Sequence, residues 1–74
     1  MRKIYFVENM DGDFIAIQEG DTQYSETTVY DQDHADNLNE KQGITRQEAK
    51  AAYTCSMFDC WDNWNNVLDM VGVQ

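Results

Sequence analysis

Between Thr45 and Gly72, apolar residues recur at helical spacing, and this run constrains the fold more than any other. Ala49, Tyr53, Met57, Cys60, Trp61, Trp64, Val67, Leu68 and Val71 follow a 3-4-3 rhythm. At roughly 100° per residue they fill one arc about 120° wide. The run opens on a capping box, in which Thr45 accepts from the backbone N–H of Glu48 and Glu48 reaches back to Thr45. Ile44 and Ala49 stand at the staple positions around it, and Gly72 is placed to end the helix in a left-handed conformation. A helix with one apolar face must bury that face on something. The only β-prone material in the chain precedes it. The expectation is therefore an α+β domain over residues 1–74: a small antiparallel sheet of about three strands packed on one long C-terminal amphipathic helix, Thr45 to Val71.

The sheet begins with a hairpin. Ile4-Tyr5-Phe6-Val7 and Phe14-Ile15-Ala16-Ile17 are β-branched or aromatic runs, with the turn pair Asp11-Gly12 between them. A loop of those two residues sets Phe6 opposite Ile17 and Glu8 opposite Ile15. One face then carries Ile4, Phe6, Ile15 and Ile17, and the other carries Tyr5, Val7, Phe14 and Ala16. A one-residue bulge would exchange the sets. Both faces are apolar and a single helix covers one of them, so the spare face is a candidate for homodimerisation. Glu19-Gly20-Asp21 is a second turn, and the Thr- and Tyr-rich run Tyr24 to Tyr30 reads as an edge strand. Asp31 to Gly43 is polar apart from Ala35 and Leu38, and reads as a loop with some helical turn.

The helix carries two irregularities. Arg46 and Lys50 lie near its N-terminus and Asp69 near its C-terminus, each opposing the macrodipole. A break at Thr54-Cys55-Ser56, with Ser56 and Asp59 forming a second cap, would relieve this. The unbroken apolar phase argues for continuity with a kink.

Charge bounds the function. The chain of 74 residues has net charge −9, from 14 acidic and 5 basic residues. From Ile4 to Glu40 there is no Lys or Arg, and after Lys50 only acids remain. Such a surface repels phosphate backbones, which argues against direct nucleic-acid binding, and attracts basic proteins. Acidity for solubility is the plainer alternative. No apolar run approaches the length of a membrane span, and the N-terminal apolar run meets Glu8 too early for a signal peptide. The expected location is cytoplasmic. A domain of this size buries only about 60% of its unfolded surface, which leaves little room for a deep active site.

The constellations that carry chemistry fail one by one. Asp31-Gln32-Asp33-His34-Ala35-Asp36 begins like a calcium loop, but puts Ala35 fifth and Asp36 where a glycine belongs. Cys55 and Cys60 on one helix diverge by about 140° and lie about 7.5 Å apart along the axis, too far to bridge. Cys60 falls on the apolar arc; Cys55 falls off it and reads as an exposed thiol. One histidine cannot complete a zinc set, and His34 among acids reads as a solvated residue. Carboxylates are plentiful, but a general acid–base pair needs a site that separates their pKa values. There is no phosphate-binding glycine loop. The reading is a non-enzymatic protein without cofactor or metal.

The candidate binding residues follow from segregation of charge. They are Glu19, Asp21, Glu26, Asp31, Asp33, Asp36 and Glu40, with an outward helical stripe of Asp59, Asp62 and Asp69. Trp61 and Trp64 are assigned to the core. Phe58 lies about 100° from the centre of the apolar arc; it either tucks under the segment Asp31–Gly43, the favoured reading, or anchors a partner. The partner called for is a basic protein surface, such as that of a nucleic-acid-binding protein or nuclease.

In size, acidity and α+β pattern the chain resembles the small inhibitors that phages and mobile elements make against host nucleases, anti-CRISPR and DNA-mimic antirestriction proteins among them. The resemblance is compositional and transfers no residue. It implies a protein without enzymatic activity that occupies a basic nucleic-acid groove. The alternative is a structural or assembly domain, dimeric through its spare sheet face.

Overall fold

The computed structural model describes residues 2–72. It is an α+β fold with a three-stranded antiparallel sheet in the order β1-β2-β3. The strands are β1 (Ile4–Glu8), β2 (Phe14–Gln18) and β3 (Ser25–Glu26). Three helices follow: α1 (Gln32–Glu40), α2 (Arg46–Phe58) and α3 (Trp64–Gly72), the last entered through a 3-10 turn at Trp61–Asn63.

The hairpin is real, but its register is shifted by one residue from the two-residue-turn expectation. Tyr5 pairs with Ile17, Phe6 with Ala16, Val7 with Ile15 and Glu8 with Phe14. The cause is Asn9. Its backbone N–H donates to Asp13 O at 2.8 Å, and its Oδ1 accepts from the N–H of Asp11 and of Asp13. The loop therefore runs from Asn9 to Asp13, with Gly12 at φ 89 supplying the left-handed step. The shift turns Tyr5 and Val7 inward to join Ile15 and Ile17, and these four are buried with Ile44, Ala49 and Ala52. The third strand is shorter than the expected Tyr24–Tyr30; only Ser25 and Glu26 pair, with Ala16 and Ile15.

The polar segment before α2 is a regular helix, not a loop. Asp31 caps it, its Oδ1 accepting from His34 N–H at 2.8 Å. Gly43, at φ 76, ends the following turn, and Ile44 N–H returns to Asn39 O. This helix and the turn after it close the outer edge of β1 with two side-chain amides. Asn39 Oδ1 accepts from Phe6 N–H and its Nδ2 donates to Phe6 O, both at 2.9 Å. Gln42 does the same for Ile4, at 2.9 and 2.6 Å. An edge strand that would otherwise present free N–H and C=O groups is thus satisfied by side chains. Val29 and Ala35 are buried outside the main core, and Phe6, Phe14 and Ala16 are half-buried.

The capping box at Thr45 is present as expected, with Glu48 N–H to Thr45 Oγ1 at 3.1 Å and Thr45 N–H to Glu48 Oε1 at 3.0 Å. The single long helix is not. Asp59 adopts φ 52, ψ 50, and the N–H groups of Asp59 and Cys60 both return to Cys55 O. This left-handed stop, which Asp tolerates better than most residues, ends α2. The break falls at Asp59-Cys60, later than the kink considered at Thr54–Ser56. Beyond it α3 folds back along α2, where Gln47 Nε2 donates to Leu68 O at 2.7 Å. Helix α2 is consequently covered on two sides. Ala49 and Ala52 face the sheet, while Ala51 and Cys55 pack with Val67 beside Leu68 and Val71. Small residues on both faces permit these close approaches. The stop expected at Gly72 coincides with the last described residue, which is still helical.

Folding back redistributes the expected arc. Cys55, read as exposed, is fully buried, whereas Met57, read as core, is 48% exposed. Trp61 and Trp64 are only half-buried. Phe58 does not tuck under the preceding segment; it is 70% exposed.

Candidate protein-binding surface

The acids singled out by sequence fall into three groups. On α1 lie Asp31, Asp33, Asp36 and Glu40. Asp31 spends one oxygen on its cap. Asp36 is engaged locally: its Oδ2 accepts from Arg46 Nη2 at 2.7 Å and Nε at 2.9 Å, and its Oδ1 from Gln32 Nε2 at 3.0 Å. The Arg46 guanidinium holds the Asp36 carboxyl below the usual carboxylate range, against a smaller opposing effect of burial. Asp33 and Glu40 are exposed, and their side chains make no hydrogen bond among the described residues. At the same end of α1, His34 is half-buried rather than solvated and packs on Tyr30 with ring centroids 4.8 Å apart.

The second group surrounds the turn between β2 and β3. Glu19 and Asp21 flank Gly20, whose φ of 90 makes the turn possible. Trp61 Nε1 donates to Asp21 O at 2.8 Å, tying this turn to the 3-10 segment that carries Asp62. Residues 40 positions apart are thereby brought together. Glu26, on β3, lies at the edge of the sheet away from α1.

The third group is the expected helical stripe of Asp59, Asp62 and Asp69, and the break disperses it. Asp59 is the left-handed hinge, Asp62 belongs to the 3-10 turn, and Asp69 lies on α3. Phe58 and Met57, both exposed, stand beside the hinge.

Arg46–Asp36 is the only ion pair among the described residues. Of the acids among the described residues, a single one is neutralised at contact distance. Other cations stand near acids without pairing: Arg2 Nη1 lies beside Gly20, Lys3 lines the same hollow as Glu19, and Lys50 the same groove as Glu8, so they offset only part of a net charge of −9.

Sequence reasoning missed one feature. Tyr5, Trp61 and Trp64 form an aromatic cluster, with Trp61 and Trp64 stacked at 5.5 Å between centroids and an interplanar angle of 15°. Tyr5 leans against them at 6.1 and 5.8 Å. The cluster opens onto a cavity of about 310 Å³ that Glu19 and Glu48 also line. Burial pushes the Tyr5 hydroxyl up to about 12, with the charges of Glu19 and Glu48 adding to it. The signal lay in the Asp59-Cys60 break: with α3 turned back, the two indoles leave the helical arc and meet the end of the hairpin.

No helix among the described residues is long and apolar enough to cross a membrane. No group of three His, Cys, Asp or Glu among them converges as a metal site would. Fold and surface together define a small acidic α+β domain with dispersed carboxylates, one of them ion-paired among the described residues, and an aromatic hollow. Comparison with protein families, with characterised proteins and with solved structures returned no match.

Proposed function

We propose that this chain is a non-enzymatic binding module for a basic protein surface, and that it acts as an inhibitor by occupying a groove that otherwise holds nucleic acid. The observation that carries the reading is the single ion pair among the described residues of a chain of net charge −9. Carboxylates presented this way pair with the Arg and Lys residues that a partner uses for phosphates. The resemblance to small phage and mobile-element inhibitors supports the same reading, with the cytoplasm as the place of action and a nuclease as the partner. Phe58 fits the role of apolar anchor, since a phenylalanine 70% exposed beside a helix stop contributes little to the fold.

The test begins with a pulldown that identifies a basic partner. Binding is then measured at two salt concentrations for two variants that spare the structural acids. One replaces Asp21, Asp62 and Asp69 with Asn; the other carries Asp33→Asn with Glu40→Gln. Asp31 and Asp36 stay, because they cap α1 and hold Arg46. Slower association, a shallower salt slope and weaker displacement of nucleic acid from the partner are expected. Full binding and an unchanged slope in both variants would show that the acidity serves solubility alone.

A further inference from the structure

The cavity beside Trp61 has the composition of a cation socket. Its wall is aromatic: the only two tryptophans in the chain stack there, and Tyr5 completes the wall. Both indoles are partly exposed, and they share this one hollow. Its volume, about 310 Å³, stands at the small end of ligand pockets. The two acids that line it are held in place by backbone. Glu19 Oε1 accepts from Lys3 N–H at 3.2 Å, and Glu48 Oε1 accepts from Thr45 N–H at 3.0 Å. The second oxygen of each takes no hydrogen bond among the described residues. Trp61 is locked in orientation by its bond to Asp21 O. Lys3 also lines the cavity, but it forms no ion pair with either carboxylate.

We propose that this cavity receives one arginine side chain of the basic partner, its guanidinium lying against the indole surface and bonded to the free oxygens of Glu19 and Glu48. The assignment rests on the reading of the chain as a module for basic surfaces, and names the point at which that surface is gripped. Aromatic faces attract cations, and fixed carboxylates add charge-assisted hydrogen bonds. A guanidinium suits the site better than an ammonium, because it is planar, stacks, donates in a fork and is more weakly hydrated. The wall and the acids are already positioned, so little ordering cost remains at binding.

The test uses the intact protein and needs no identified partner. The probe is the peptide acetyl-Gly-Arg-Gly-amide, with Gly-Lys-Gly and Gly-Gly-Gly counterparts. Both tryptophans line the cavity, so their fluorescence and indole N–H resonances report occupancy directly. Saturable binding is expected for the arginine peptide, weaker binding for the lysine peptide and none for the glycine peptide. The double variant Glu19→Gln with Glu48→Gln retains both backbone contacts, since glutamine also serves at the third position of a capping box. It should lose about tenfold in affinity, as removal of charge-assisted bonds does. Asp33→Asn with Glu40→Gln removes the same charge from α1 and should change affinity less than about twofold at physiological salt. Lys3→Gln should tighten binding. The proposal is overturned by no saturable signal, by equal losses in the two double variants, by a lysine peptide that binds as well, or by weaker binding in Lys3→Gln. It fails separately from the broader reading: a partner that binds Glu19→Gln with Glu48→Gln normally, yet loses affinity for the other acid variants, would retain the module and reject the socket.

Discussion

Asn39 holds the free edge of the sheet, and its replacement by alanine gives the sharpest check on the fold. The side chain is 2% exposed and makes two hydrogen bonds to one residue, accepting from Phe6 N–H and donating to Phe6 O. Alanine removes both and supplies nothing in return. A partly buried backbone group left without a partner costs about 1–3 kcal/mol. Some water can reach a half-buried edge, so the sum for Asn39→Ala should be about 2–4 kcal/mol. A domain of this length has roughly 4–11 kcal/mol in total. Each kcal/mol moves the midpoint of so small a domain by about 4–8 °C, so a fall of roughly 10–30 °C is expected. Urea unfolding followed by tryptophan fluorescence would measure it.

Two companions separate this mechanism from a general loss of packing. Gln42→Ala removes the equivalent pair of bonds to Ile4, which is 41% exposed, and should cost only about 1 kcal/mol, because water replaces the amide. Asn39→Asp keeps the acceptor and the volume but sets an oxygen against Phe6 O. It should be nearly as damaging at neutral pH and partly recover in acid, where the protonated carboxyl can donate. Exchange of the Phe6 amide with deuterium should accelerate in both Asn39 variants, and the opened edge should promote concentration-dependent self-association. An Asn39→Ala protein that matches Gln42→Ala in stability, with Phe6 still protected from exchange, would refute the account of α1 as an edge cover.

Two further outcomes follow from groups whose protonation the fold perturbs. Tyr5, raised to about 12, is protonated in the folded chain at pH values where an unfolded tyrosine has ionised. The resulting stability is complete below about pH 10 and is lost as pH rises toward 12; an ultraviolet titration should show one of the four tyrosines ionising late and together with alkaline unfolding, whereas four normal titrations would contradict the burial of Tyr5. Cys55 is raised by burial and by the neighbouring Cys60 thiol, while Cys60 is half-buried. A thiol reagent should therefore consume Cys60 first and Cys55 only after unfolding, and equal rates for the two would place Cys55 on the surface after all.

What could be read from the sequence, and what could not, divides along the range of the forces involved. The capping box at Thr45 and the hairpin are local, and each formed where the residues said it would. The register of the hairpin was also a local matter, but it turned on one side chain. Asn9 folds back onto the N–H groups of Asp11 and Asp13, and Asp11-Gly12 read alone conceals that competition. The break at Asp59 was harder to see, because the apolar phase continues through it. Val67, Leu68 and Val71 keep helical spacing with Ala49 and Tyr53 whether α3 runs on or turns back. What decides between the two is long-range burial: folded back, Val67 covers Ala51 and Cys55, which an extended helix would leave bare.

The same ambiguity hid the aromatic hollow. A continuous helix would press Trp61 and Trp64 flat onto the sheet as core, and the acids would then be the only feature available to a partner. Turned back at Asp59, the helix delivers the indoles to the end of the hairpin, where the one-residue register shift has already faced Tyr5 inward. Two departures from the simplest reading, one at Asn9 and one at Asp59, are thus needed together to build a single cavity, and both are governed by short polar side chains that favour turns. Glu19 and Glu48 then flank the indoles from elements 29 residues apart, the interval between the two positions. Charge was legible because it needs no geometry; the place where it meets aromatic surface was not, because that requires three chain reversals at once.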